Sequence, residues 1–389
     1  MPSTVKILEQ EFARAQGLGH AVATGFGRSA LFLALQTLAT DTGDILVPDL
    51  VCSQVTAAVR RAGHRPVFFR IPRDLTCAPA AFEQAWTAMT RGVVVLHYFG
   101  RVQPHIAALA MQCRARGVPL IEDCALALGA THPEASGRDQ PAGSWGEGAV
   151  FSLTKSDWGY GGGMVTCRSE EWRRQMREYR DRRFRTAAWL PFAYGLLRRA
   201  DFAGNKPSRG AWVERAGRVM ESAVRAVPGF SGSARDTSTG NFYDAAPFDT
   251  LLPPFAARRA RRVLRRLPEA SACRRDILFS LTRSLRDVPG LLLRSEAAPG
   301  DAGTFLPLAS PSGHAESWRD VAAREGVTLR LCWPAYQPVD SGLPGGPLDW
   351  FARHLLWMEI HERLTAREIS KITSVISRLA EMDSKHSDA

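Results

Sequence analysis

Between residues 20 and 170, short apolar runs alternate with stretches whose apolar positions repeat at the helical period. The runs Ile45–Val47, Pro66–Phe69, Val93–Leu96, Val118–Ile121, Ala149–Phe151 and Met164–Thr166 read as strands. Ser29–Leu38, Ser53–Ala62, Pro79–Ala88 and Ile106–Arg116 read as the helices between them. Such alternation predicts an α/β domain on a mostly parallel sheet, with helices over both faces and the site beyond the carboxyl ends of the strands.

After residue 170 the pattern changes. Arg180–Arg199 is arginine-rich and amphipathic, and a Gly/Ser/Pro loop follows over Pro228–Pro247. Phe255–Leu267 and Ala270–Leu285 read as two helices. A strand at Thr304–Leu308, a helix at Glu316–Arg324, a strand at Val327–Leu329 and a helix at Thr365–Leu379 make a smaller α+β unit. Thr365 and Glu368 form a capping box for that last helix. The expected division is a large α/β domain over residues 1–170, an arginine-rich helical insertion or lid over 171–247, and a small domain over 248–389.

Composition narrows the class. A chain of 389 residues with 45% hydrophobic and 23% charged residues is long enough for a large core and a second, smaller one. It shows neither a secretory leader nor an apolar run long enough to span a membrane, so a cytoplasmic place is expected. The seven cysteines are scattered, odd in number and never in a CxxC pair, so neither a disulfide framework nor a metal site is expected. A net charge of +11 suits an anionic partner without naming it. There are no helix-turn-helix or zinc-finger patterns to make that partner nucleic acid, and arginine-studded amphipathic helices are more often solvated faces.

Four segments carry candidate chemistry. Gly25-Phe26-Gly27-Arg28-Ser29 opens a helix, where free amides and the helix dipole suit a phosphate; a plain Gly-rich turn is the ordinary alternative. Asp123 ends an apolar strand, where a carboxylate needs a cation such as a protonated pyridine nitrogen; an N-cap for the next helix is the ordinary role. Its neighbour Glu122 reads as a solvated or structural residue. Lys155, one of only five lysines, follows a strand and faces a Gly161-Gly162-Gly163 run, a setting for an amine nucleophile. Ser152, just before it, is placed to reach a phosphate. His97 and Tyr98 follow another apolar strand, as a stacking surface for a ring or as a core-edge cluster.

In this order the segments resemble the DegT/DnrJ/StrS-type family of sugar aminotransferases. Gly43–Pro48, Ala62–Phe68, the Glu122-Asp123 pair, the Gly143–Lys155 block and His361–Thr365 also fit it. The resemblance implies the fold-type-I architecture of pyridoxal-phosphate (PLP) enzymes, with a mostly parallel large domain and a smaller C-terminal α+β domain. It further implies a homodimer, and transfer of an amino group from a donor such as glutamate to a nucleotide-linked keto sugar. By position, Lys155 looks like the Schiff-base lysine, Asp123 the partner of the ring nitrogen, and Gly27, Arg28, Ser29 and Ser152 the phosphate contacts. Leu126 stands where the family usually has a cofactor-touching glutamine, and Gly161 where it often has an acid. Another PLP reaction on an amine or amino acid is therefore a second expectation, and a non-catalytic regulatory or nucleic-acid-binding protein a remote third.

Overall fold

A computed structural model of the chain describes residues 3–38, 41–133, 137, 139–157, 161–185, 248–288, 291, 298–332 and 347–387. Helix α1 (Thr4–Ala15) starts at Ser3, whose hydroxyl accepts from Lys6 N–H, and leads to β1 (His20–Thr24). There follow α2 (Gly27–Leu38), β2 (Asp44–Pro48), α3 (Ser53–Arg61), β3 (Arg65–Phe69), α4 (Pro79–Ala85) and β4 (Thr90–Leu96). After a 3-10 turn (Tyr98–Gly100) come α5 (Ile106–Ala115), β5 (Leu120–Asp123), the small ribbon β6 (Thr131–Pro133) and β7 (Asp139–Pro141), then β8 (Gly148–Ser152). A short α6 (Thr154–Asp157), β9 (Gly163–Cys167) and α7 (Glu170–Arg183) complete this part.

Seven of these strands form one sheet in the order β1-β9-β8-β5-β4-β2-β3. The pairs β2·β3, β2·β4, β4·β5 and β5·β8 are parallel, and β9 alone runs against its neighbours. Strands β2, β5, β8 and β9 are buried along their whole length, which explains their continuous apolar runs. Strand β1 escaped the sequence reading because His20-Ala-Val-Ala-Thr24 is built of small residues; its pairing with β9 makes it a strand.

Helix α7 falls inside the stretch 171–247 that reads as an insertion, yet it packs on α2 and β1. Its Arg177 and Arg180 close on the buried Glu9 of α1, with Arg180 Nη1 2.6 Å from Glu9 Oε1. The remainder of the expected Arg180–Arg199 helix, past residue 185, and the Pro228–Pro247 loop lie outside the described residues.

The two helices expected over 255–285 are one, α8 (Pro254–Leu285), running through Pro268. Its buried positions Ala257, Ala260, Leu264, Leu267, Ser271, Arg274, Leu278, Leu281 and Leu285 alternate spacings of three and four without a break. A proline removes one helical hydrogen bond and crowds the carbonyl four residues back, but a continuous apolar face offsets that locally. The first half of α8 packs in the core under the large sheet, together with α1, while Ile277 to Leu285 enter a second core.

That second core is covered by β10 (Phe305–Ala309), α9 (Ala315–Arg324), β11 (Arg330–Leu331), β12 (Leu355–Glu359) and α11 (Ala366–Ser387), whereas α10 (Pro347–His354), between β11 and β12, packs Trp350 and Phe351 against the first. The strands form an antiparallel sheet, β10-β12-β11. The strand expected at Val327–Leu329 begins at Arg330 instead, where pairing with Trp357 starts. The capping box is present, with Thr365 N–H donating to Glu368 and Glu368 N–H to Thr365 Oγ1 at 3.3 Å. Asp383 of α11 accepts from Ser310 Oγ at 2.8 Å and Ser312 N–H at 3.1 Å, and pairs with His314 Nδ1 at 2.7 Å.

Two outcomes follow. Pro268→Ala is expected to raise stability by roughly 1–3 kcal/mol in chemical denaturation, because it restores a bond to a continuous helix; a neutral result would mean two helices meeting at Pro268. Burial raises the Asp383 pKa, but its bonds to His314, Ser310 and Ser312 outweigh burial and hold it below the usual carboxylate range. A carboxylate depressed on folding stabilises above its unfolded pKa and loses that contribution as pH falls through its folded value. Asp383→Ala should therefore cost about 1.5–3 kcal/mol at pH 7, with the difference from wild type fading below about pH 4.

Candidate active site

The parallel strands β2, β4, β5 and β8 finish at one edge of the large sheet, and β1, which like β8 runs against β9, ends there too. All the residues expected at a site leave the sheet at this edge. Asp123 is the last residue of β5, His97 and Tyr98 follow β4, Ser152 ends β8 with Lys155 just beyond it, and the Gly25–Ser29 turn joins β1 to α2.

Three backbone segments meet at the turn. Gly162 N–H donates to Gly25 O at 2.6 Å, Leu153 N–H to Gly162 O at 2.9 Å, and Gly25 N–H to Thr250 O at 2.7 Å. A Cβ on Gly163 would lie 2.1 Å from Phe26 O, and one on Gly27 would lie 3.0 Å from Ser152 Cβ. Glycine at 27 and 163 is thus what lets the start of α2 lie directly against Ser152. Gly162, at φ +111°, has a backbone conformation that only glycine adopts freely. The first amides of α2 have no partner inside the helix. Beside them the Ser29 hydroxyl is fully buried with no hydrogen-bond partner. Arg28 donates to Gln54 Oε1 at 3.2 Å, and its guanidinium lies over the rings of Phe26 and Phe248 at 5.1 and 5.6 Å. The structure therefore brings Gly27, Arg28, Ser29 and Ser152 together.

Across the edge, Asp123 is 8% exposed and accepts from Ala125 N–H at 2.9 Å. Burial pushes its carboxyl upward, and the Lys155 ammonium pulls it back. Lys155 is half-buried on α6. It also acts on Cys332 at the end of β11: burial raises that thiol well above its ordinary value, and Lys155 opposes the rise. A residue of the smaller sheet thus lies within electrostatic reach of the lysine, which no sequence signal announced.

His97 and Tyr98 have their polar atoms committed within the protein. His97 Nδ1 accepts from Gln103 N–H at 3.0 Å, its Nε2 lies 2.8 Å from Glu122 Oε2, and Tyr98 donates to Leu50 O at 2.5 Å. Both residues are also buried, at 1% and 2% exposure, as members of a core-edge cluster. Glu122, read as solvated or structural, is fully buried and purely internal: it accepts from the amides of Gly143, Trp145 and Gly146 as well as from His97. The signal was available, since two adjacent carboxylates in a strand buried on both faces cannot both reach solvent. His97, Glu122 and Cys124 come within 4.8 Å of one another, but the carboxylate lone pairs a cation would use already accept hydrogen bonds, and burial holds the Cys124 thiol protonated.

A seven-stranded, mostly parallel sheet with a lysine and an aspartate at adjacent strand ends, beside a glycine turn that opens a helix, defines an aminotransferase fold of the PLP-dependent, fold-type-I class. The family model of the DegT/DnrJ/EryC1/StrS aminotransferases matches residues 2–193. That match spans just under half of the chain. Over 170 residues it is 36% identical to the L-glutamine:2-deoxy-scyllo-inosose aminotransferase of Streptoalloteichus tenebrarius, a match covering 42% of this chain and 39% of that relative. The dTDP-4-dehydro-2,3,6-trideoxy-D-glucose 4-aminotransferase of Saccharopolyspora spinosa is 28% identical, over 97% of this chain and 89% of its own. Among solved structures, the aminotransferase TlmJ from Streptoalloteichus hindustanus superposes with a TM-score of 0.72 at 21% identity, covering 98% of this chain and 92% of that one. Among the described residues, no helix is long and apolar enough to cross a membrane.

Gly163→Ala tests the close approach at the turn. With the new Cβ aimed at the Phe26 carbonyl, overpacking against backbone is expected to cost about 1–3 kcal/mol, read as a lowered melting temperature; an unchanged one would show that the turn yields freely.

Proposed function

We propose that this protein is a PLP-dependent aminotransferase that moves an amino group from an amino acid such as glutamate or glutamine to a keto sugar, nucleotide-linked or of related polyhydroxylated type. The observation that carries the reading is the convergence of Lys155, Asp123 and the Gly27–Ser29 turn at one sheet edge. The residues fit the cofactor. The orphaned, fully buried Ser29 hydroxyl at the N-terminus of α2 suits its phosphate, with Ser152 and Arg28 alongside. Asp123, raised by burial and steadied by a cation, suits a protonated ring nitrogen. Lys155 is the amine that would hold the group. When bound, PLP supplies an electron sink for negative charge at the carbon that exchanges the amino group.

Within that site, Lys155 would serve as general acid and base, moving the proton between the cofactor carbon and the carbon of the donor in one half-reaction, and between the cofactor carbon and the carbon of the acceptor in the other. Asp123 keeps a negative charge where the ring nitrogen needs it. His97 and Tyr98 pack behind this site, just past the end of β4. The acceptor class rests on the relatives, whose names specify a dTDP-dehydro sugar, a UDP-dehydro-glucosamine and scyllo-inosose. The net charge of +11 suits a nucleotide-linked, anionic member of that class. A homodimer and a cytoplasmic place belong to the same reading.

The test is visible absorbance of the protein with PLP, comparing wild type with Lys155→Ala, before and after L-glutamate and L-glutamine. Wild type is expected to show a protein-bound band that the variant lacks, which an amino donor bleaches, and the variant to lose activity by at least about 10²–10⁴-fold. A band indifferent to every amino donor would favour a different PLP reaction; no band in wild type would overturn the reading of Lys155.

A further inference from the structure

The carboxylate next to Asp123 is held in a way that leaves no freedom of choice to any of its partners. Glu122 Oε1 accepts from Trp145 N–H and Gly146 N–H, both at 2.7 Å, and Oε2 accepts from Gly143 N–H at 3.0 Å and from His97 at 2.8 Å. Three of these donors are backbone amides and have no alternative. The fourth is fixed as well: His97 Nδ1 receives the Gln103 N–H, so its ring proton sits on Nε2, facing Glu122. Gln103 cannot turn to relieve this. Its Oε1 accepts from Cys77 N–H at 2.8 Å, and its Nε2 donates to Leu75 O and Leu96 O at 3.0 and 2.9 Å.

A carboxylate offers four acceptor positions, and here all four meet donors. The isosteric amide fails in either orientation, because its NH2 would point at two N–H groups inside a dry core. We infer that Glu122 is a positioning residue of the proposed site, required as a carboxylate because it fixes the Gly143–Gly146 turn and His97 and thereby the offset between the ends of β5 and β8. The inference rests on the function proposed above.

The mechanical link is short. Side chains alternate along a strand, so Glu122 and Asp123 leave β5 on opposite faces. The turn that Glu122 gathers runs straight into β8, which pairs with β5 at Ile121↔Gly148, Glu122↔Ala149 and Asp123↔Val150. Two and five residues beyond Val150 lie Ser152 and Lys155. The other side of the turn is tied down too, with Glu147 N–H donating to Leu120 O at 3.0 Å and Leu120 N–H to Glu147 Oε2 at 2.7 Å. On the β4 side, His97 is the residue where that strand leaves the sheet. One carboxylate therefore sets three strand ends relative to each other.

The experiment has a cofactor-free half and a cofactor half. In histidine-selective ¹⁵N NMR of the wild-type protein, His97 should show the Nε2–H tautomer. Glu122→Gln, assayed at a temperature where its circular dichroism is native, should disturb that tautomer, weaken PLP binding about tenfold or more, and displace the pH midpoint of the bound cofactor's visible band. A purely structural role would lower the melting temperature but leave PLP affinity and that midpoint as in wild type, which would overturn the inference. So would the Nδ1–H tautomer of His97 in wild type. Should Glu122→Gln not fold, His97→Asn takes its place: the asparagine oxygen can still receive Gln103 N–H, while Glu122 loses one donor. A severalfold weaker PLP affinity with a displaced midpoint is then expected, and wild-type values would overturn the inference. Wild type that takes up no PLP would overturn the proposed function and this role with it; wild type that binds PLP while both variants behave identically to it would overturn only this role.

Discussion

Two ionisable carboxylates on consecutive residues of a strand buried on both faces impose a demand that the surrounding chain has to meet. Charge taken out of water is tolerated only against hydrogen-bond donors or a cation. Glu122 meets that demand with four donors drawn from β4 and from the turn before β8. Asp123 has one amide and the nearby Lys155 ammonium. The pair thus divides by face: one side chain is saturated by donors of the fold, and the other, with a single amide donor, is the one that the proposed function assigns to a ligand. Burial disfavours the ionised form of Asp123, so the cation that steadies it is as much a part of the site as the carboxylate.

The same economy of buried charge appears at the far edge of the sheet. Glu9 of α1 is nearly inaccessible, and accepts from Ala23 N–H at 2.9 Å while pairing with Arg177 and Arg180 of α7. Arg180 returns a bond to Ala23 O at 3.1 Å. This network fixes the end of β1, one residue before Thr24 and the glycine turn. Glu11, two residues further along α1, is held down to about 2 by Arg261, with burial opposing and Arg265 of α8 helping. Helix α1 is therefore clasped by arginines from both neighbours, and part of the positive excess is internal rather than offered to a partner.

Helix α8 makes the two cores into one mechanical unit. Its unbroken face carries aliphatic residues into both, and at the crossover it buries Ser271 and Arg274 instead of leucines. Arg274 donates to Ser271 Oγ at 3.0 Å and lies 3.9 Å from Glu362; burial lowers its pKa and Glu362 opposes that. The other crossing is polar too, where Arg101 beyond β4 pairs with Asp301 at 2.8 Å, and Ala302 N–H reaches Gly100 O at 2.8 Å. Polar contacts of this kind set one relative placement of the two sheets, whereas apolar contacts alone would permit several.

Periodicity and local chemistry were enough to determine the alternating α/β order, the parallel core of the large sheet, the capping box at Thr365 and the placement of Asp123, His97, Ser152 and Lys155 at strand ends. Those features depend on neighbours in the chain: an apolar run long enough for a strand, glycines at a turn, a lone lysine after a strand. Other features depend on partners far away in sequence, and only the tertiary structure decided them. β1 is a strand because β9 lies beside it, α8 is continuous because two cores share its face across Pro268, and Cys332 reaches Lys155 because the smaller sheet docks there. Glu122 shows the difference most sharply. Its position next to Asp123 was legible, but whether a carboxylate is solvated or saturated depends on how many donors the fold aims at it, and three of the four are backbone amides of a turn 21 to 24 residues away.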